Sequence, residues 1–171
     1  RPAPEPATGP MRFVLIDRIV GVEPGRAIET LKNVSASEDV FDDHFPGFPI
    51  FPGALIIEAF DQSAQLLVAL SHRFERLGRL ERVTAASFRR PVKPGDQLRL
   101  HCMRRDSAGE RWTMAATAQV DGQTAARAIL HLAIEEVGRD PEARARAERL
   151  REMHRVLTAR PLDAAAFEAG L

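Results

Sequence analysis

Cysteine is nearly missing from this 171-residue chain. Cys102 is the single one, which excludes a disulfide framework and fits a reducing cytoplasm. It lies inside an apparent strand, where a small buried thiol is the expected reading rather than a nucleophile. Net charge is missing as well, with 24 Lys and Arg against 24 Asp and Glu. Nothing global therefore argues for nucleic acid or an acidic membrane surface, and an electrostatic partner must be met by a local patch. No segment approaches ~18 uninterrupted apolar residues, and the opening RPAPEPATGP has no apolar stretch of signal-peptide length. We expect a cytoplasmic protein with neither membrane nor nucleic acid among its partners. Phosphate loops, nucleophile elbows and dinucleotide-binding glycine patterns are absent. Asp42, Asp43 and His44 are too close in sequence to converge on one ion, and no distant His or Cys cluster completes a site. No metal and no cofactor are implied.

What is present suits one globular domain, with 44% hydrophobic residues and enough length to bury a core. Residues 1–10 hold four prolines and no periodicity, and read as a disordered leader. From Met11 a strand-like segment, a Pro24-Gly25 turn and a strand from Ala27 to Val34 suggest a hairpin. Ser35 or Ser37 is placed to cap a short helical turn. From Ala54 to Leu77 neither proline nor glycine interrupts, and Gly78 stands where a helix stop belongs, so one long helix is expected there. Strands over 82–90, 97–105, 111–120 and 123–136 follow, joined by PVKPGDQ, DSAGE and a tight Asp121-Gly122 step. The pattern predicts an α+β domain over 11–137, about six antiparallel strands around a long helix. Residues 138–171 predict a helical C-terminal extension, amphipathic through Leu150, Met153, Val156 and Leu157.

The chemistry concentrates in HFPGFPIFPGALIIEAF, residues 44–60. Apolar residues cover nearly every face of the long helix, so its few polar ones need an explanation. Glu58, Asp61, Gln62 and Gln65 share one stripe by their i, i+3, i+4, i+7 spacing. A buried carboxylate is paired, protonated or working, and an arbitrary polar stripe is more often a hydrogen-bonded interface than a site. The preceding loop changes that balance. Pro46, Pro49 and Pro52 stiffen it, and Gly53 opens the helix where free amides and the helix dipole favour developing negative charge. His44 offers a base, Glu58 an acid and Gly53 a donor to a carbonyl becoming enolate-like. That set suits removal of a proton α to a carbonyl with loss of a β-hydroxyl. His72, His101, His131 and His154 carry no comparable case.

The segment HFPGFPIFPGALIIEAFDQ closely resembles the active-site segment of bacterial 3-hydroxyacyl-[acyl-carrier-protein] dehydratases of the hot-dog fold. RFVLIDRIVGVEPG upstream and FRRPVKPGDQLRL downstream are similar to that family in the same order, so the resemblance runs from Met11 to Glu136. It implies a homodimer, with trimers of dimers common among relatives, and active sites at the dimer interface. His44 would act with Glu58 of the other subunit, Gly53 would polarise the thioester carbonyl, Gln62 would support the glutamate, and Phe45 and Pro52 would line the substrate site. Glutamate rather than aspartate at 58 is typical of the dehydratase branch rather than the dehydratase/isomerase branch.

The implied carrier is an acyl carrier protein, which is acidic. From Arg73 to Arg105 the chain has ten Lys and Arg against three Asp and Glu, and Arg89, Arg90 and Lys93 are candidates for docking it, with a solvated arginine face as the plain alternative. Two departures stand out. Asp61 sits where relatives usually carry a small residue, so repulsion from Glu58 should raise one carboxyl pKa, and the tail beyond Gly138 is longer than compact relatives need. Phe60 and Phe88 are candidates for the pocket floor. An enoyl-thioester isomerase, a non-catalytic acyl-binding subunit and a hot-dog thioesterase remain the competing readings.

Overall fold

The computed structural model describes residues 13–43 and 47–158. The elements run β1 (Arg18–Glu23), β2 (Ala27–Asn33), α1 (Val40–Asp43), α2 (Gly53–Ser71), β3 (Arg76–Phe88), β4 (Gln97–Ala108), β5 (Arg111–Val120), β6 (Gln123–Glu136) and α3 (Pro141–Thr158). The strands form one antiparallel sheet in the order β1-β2-β4-β5-β6-β3, leaving β1 and β3 as its edges. The expected leader over residues 1–10 falls outside the described residues.

Alternation makes this sheet one-sided. In β5, Trp112, Met114, Ala116, Ala118 and Val120 are buried while their neighbours are partly open. The inward alanines of β5 and β6, Ala116, Ala118, Ala126 and Ala128, are nearly inaccessible, and their small size lets the sheet curl closely around α2. Ala59, Phe60, Ala64, Leu66, Leu67, Val68 and Ala69 of that helix have no accessible surface. By length and composition α2 would pass for a membrane span. In the fold it is instead the core around which the sheet is wrapped.

Three expectations are corrected. The helix stops at Ser71, not at Leu77, because Arg73 and Phe74 take left-handed backbone (φ 52° and 63°) and the Phe74 amide donates back to the Ala69 carbonyl at 2.7 Å. No glycine makes this stop. Gly78 lies in β3, where a Cβ would sit 2.9 Å from Leu132 Cδ2 and 3.2 Å from Val68 Cγ2. Both neighbours are buried in the core. Gly78→Ala should therefore cost about 1–3 kcal/mol by overpacking, read as a lower denaturant midpoint with an unchanged slope. The third correction concerns residues 13–17, which are not strand: the Leu15 amide donates to Gln62 of α2, and Asp17 meets the sheet through its amide, which donates to the Leu31 carbonyl at 2.7 Å.

Candidate active site

Two irregularities in the β3–β6 register, at Leu80/Arg82 and Thr84/Ser87, bend β3. The second contains Ala85 at a left-handed φ of 51°. Past it, the Phe88 ring meets the first residue of α2. A Cβ on Gly53 would lie 2.7 Å from ring atoms Cε1 and Cζ. Glycine thus lets the aromatic ring rest directly on the helix start. Phe88 is 52% exposed and lines the cavity at the helix N-terminus as a wall and not a pocket floor, while Phe60 is sealed in the core.

Pro52 is the N-cap of α2, with extended backbone and no side-chain cap hydrogen bond. Its stiff φ and missing N–H suit a helix entry; the Leu55 amide donates to the Pro52 carbonyl at 3.0 Å, and the Gly53 and Ala54 amides ahead of it keep their donating capacity. Here a cavity of about 550 Å³ opens, lined by Ile50, Phe51, Gly53, Phe88, Arg89 and Arg90 among others. Arg90 also reaches the Val120 carbonyl at 3.3 Å. Lys93 holds its ammonium 5.0 Å from the centre of the exposed Phe48 ring. The basic residues singled out from the sequence therefore surround the helix entry. His44 and Phe45 lie outside the described residues.

The polar stripe of α2 resolves into two i, i+4 hydrogen bonds. Gln62 Nε2 donates to Glu58 Oε1 at 2.9 Å, and Gln65 Nε2 donates to Asp61 Oδ2 at 2.8 Å. Gln62 is 5% exposed and its amide is used further, accepting from the Leu15 amide at 2.9 Å and donating to the Phe13 carbonyl at 3.0 Å. Glu58 is half-buried and is not among the described residues that line the Gly53 cavity. One chain thus presents the helix entry and the carboxyl on different faces.

Asp61 is 7% exposed and its Oδ1 has no hydrogen-bond partner among the described residues. Burial, assisted by the charge of Glu58 and opposed by Gln65 and Arg146, raises its pKa from 3.8 to about 6. The folded state then holds the proton to higher pH than the unfolded chain does. Stability conferred below pH ~4 declines as pH rises to ~6, by about 3 kcal/mol in all. Asp61→Asn should remove this slope and be the more stable protein above pH ~6, as urea titrations across that range would reveal. The Glu58 and Asp61 spacing predicts a raised carboxyl through mutual repulsion; the raised group is Asp61, and burial is the larger cause, with Glu58 a lesser one. Cys102, by contrast, behaves as read. Its thiol, which touches the Phe60 carbonyl at 3.6 Å, is pushed up to about 12 by burial.

Residues 8–129 match the family model described as a FabA-like domain. The chain belongs to the FabA-like family. Within it, the chain is 44% identical over 119 residues to the 3-hydroxyacyl-[acyl-carrier-protein] dehydratase FabZ of Granulibacter bethesdensis, covering 68% of this chain and 70% of that protein. It is 40% identical over 125 residues to the FabZ of Nitratidesulfovibrio vulgaris, covering 71% and 81%. Among solved structures, a hot-dog-like protein from Thermanaerovibrio acidaminovorans superposes with a TM-score of 0.58 at 16% identity, over 67% of this chain and 84% of that one. A Streptococcus mutans protein bound to acetyl CoA gives 0.57 at 18% identity, over 70% and 88%. These likenesses establish the hot-dog fold for this member of the FabA-like family.

Proposed function

We propose that this chain is a dehydratase that converts a 3-hydroxyacyl thioester to the trans-2-enoyl thioester in fatty-acid synthesis. The relatives that are 40–44% identical to it carry that activity in their names. The observation that carries the reading is a glutamate held at 2.9 Å by a buried glutamine, one helical turn from a proline-capped, glycine-opened helix entry. His44 takes the proton from Cα of the substrate, and the carbonyl oxygen gathers negative charge facing the Gly53 amide. Glu58 protonates the leaving β-hydroxyl, which departs as water as the double bond closes. Proton transfer from the imidazolium back to the glutamate restores both groups.

The site is completed by a second copy of the chain. The helix entry and Glu58 occupy different faces of one protomer, and β3 is a 13-residue sheet edge able to pair with its like. In this arrangement His44 works with Glu58 of the partner subunit in a homodimer, and trimers of dimers are a further level of assembly. Phe45 and Pro52 line the substrate channel. The catalytic unit is 11–137, with 138–171 as an extension, and the compartment is the cytoplasm.

An acyl carrier protein delivers the substrate to Arg89, Arg90 and Lys93 around the cavity mouth. Arg89 is exposed there and forms no ion pair among the described residues. Arg89→Glu should raise KM for a carrier-bound substrate roughly tenfold, a loss set by like-charge repulsion at the rim, and leave a short pantetheine thioester nearly unaffected. Offered a trans-2-enoyl thioester, the protein should return the 3-hydroxy compound by hydration. A 3-enoyl product would instead favour the isomerase, and free thiol would favour a thioesterase.

A further inference from the structure

Gln62 ties the N-terminal segment to α2 and to Glu58 on the same helix. Its two N–H groups serve the Phe13 carbonyl and Glu58 Oε1, and its oxygen receives the Leu15 amide. An amide has two N–H donors, and both are committed. The orientation of Glu58 therefore depends on where the backbone of Phe13–Leu15 is held. That segment has no place in the sheet, since β1 begins at Arg18. It is kept in position by burial of Leu15 and Ile16, 3% and 1% exposed, and at its far end by Asp17, whose amide donates to the Leu31 carbonyl of β2 at 2.7 Å.

The partner of that burial is the C-terminal extension. Ala147, Leu150, Met153 and Leu157 of α3 are buried in the same apolar cluster as Leu15 and Ile16. Val14 and Ile16 face Met153, Val156 and Leu157 across a groove of about 430 Å³. The helix is anchored independently at its other side. Arg146 donates to the Gly78 carbonyl at 2.9 Å, Arg151 lies 5.1 Å from the Phe74 ring centre, and the His154 ring lies tilted to the same ring at 6.3 Å. One side of α3 thus meets β3 and the turn after α2, and the other faces Val14, Ile16 and Asp17.

We infer that α3 is a positioning element of the active site, clamping Phe13–Asp17 against α2 so that Gln62 presents the Glu58 carboxyl at a fixed angle. This rests on the reading of Glu58 as the catalytic acid. It gives the extension a task in turnover that a merely covering helix would not have.

The test uses the full-length chain carrying Met153→Ala with Leu157→Ala, alone and combined with Gln62→Leu, and assayed well below the melting temperature. The α3 variant should lower kcat roughly 3- to 30-fold, the range for residues acting on a site through others, with KM nearly constant. The combined variant should lose little beyond Gln62→Leu alone, because both changes release the same carboxyl. Met153→Leu with native Leu157 should restore turnover. Native kcat in the α3 variant, or losses that multiply in full with Gln62→Leu, would overturn the inference. Should the double α3 change prevent folding, judged by circular dichroism, Leu157→Ala alone carries the same comparison. Glu58→Gln run in parallel separates the two levels. Native turnover there overturns the reading of Glu58, whereas its loss beside a fully active α3 variant overturns only the role of α3.

Discussion

Glu58→Gln should lower kcat by at least about 10³-fold, near the upper end for loss of a general acid, with little change in stability. Glutamine keeps the shape of the side chain and an oxygen to accept from Gln62, so the 2.9 Å contact survives. What disappears is the proton for the leaving hydroxyl. A site shared between two chains, as proposed, adds a sharper expectation. Glu58→Gln chains mixed with His44→Ala chains through a cycle of unfolding and refolding should recover roughly a quarter of native activity, since half the dimers are mixed and each has one intact site. Activity that stays at the level of the separate variants would mean that both residues serve the same chain's site.

Gln62→Leu should produce the next largest effect, and on two observables together. The Leu15 amide is buried and loses its acceptor, which costs about 1–3 kcal/mol. The Phe13 carbonyl, next to a half-exposed side chain, can turn to water at lower cost. A domain of ordinary stability survives this, and the denaturant midpoint should fall without loss of cooperativity. Turnover should fall ~10- to 100-fold, as for removal of a group that orients a catalytic one, because Glu58 remains but is no longer held. Unchanged kcat beside a lowered midpoint would reduce Gln62 to a structural tie.

Much of the architecture can be read along the chain because it is local. The hairpins over 97–136 follow from turn residues and alternation, and β5 and β6 occupy the expected residues 111–120 and 123–136. Boundaries created by tertiary contact are another matter. The stop of α2 at Ser71 depends on two ordinary residues accepting left-handed backbone, and Gly78, which looks like that stop, is demanded by Val68 and Leu132 across the core. Residues 13–17 are apolar enough to pass for a strand, yet Phe13 and Leu15 hydrogen-bond to Gln62, nearly fifty residues away, and Asp17 at the end of the segment bonds to β2. The polar stripe of α2 could be seen from its spacing, and the tie from Gln62 to Glu58 is what the resemblance implies. Its division into one pair facing the N-terminal segment and another enclosing Asp61 could not, because burial by a helix at the far end of the chain has no local signature. Phe88 against Gly53 has the same origin, two β-bulges that redirect a strand end.

The most direct test is mass spectrometry of a 3-hydroxyacyl-carrier protein incubated with the native chain, with Glu58→Gln and with His44→Ala. The account predicts that the acyl group loses the mass of one water with the native chain and with neither variant, all three being folded and dimeric. An acyl group that binds tightly and keeps its mass with the native chain would contradict it, and would make the protein an acyl-binding member of the FabA-like family rather than a dehydratase.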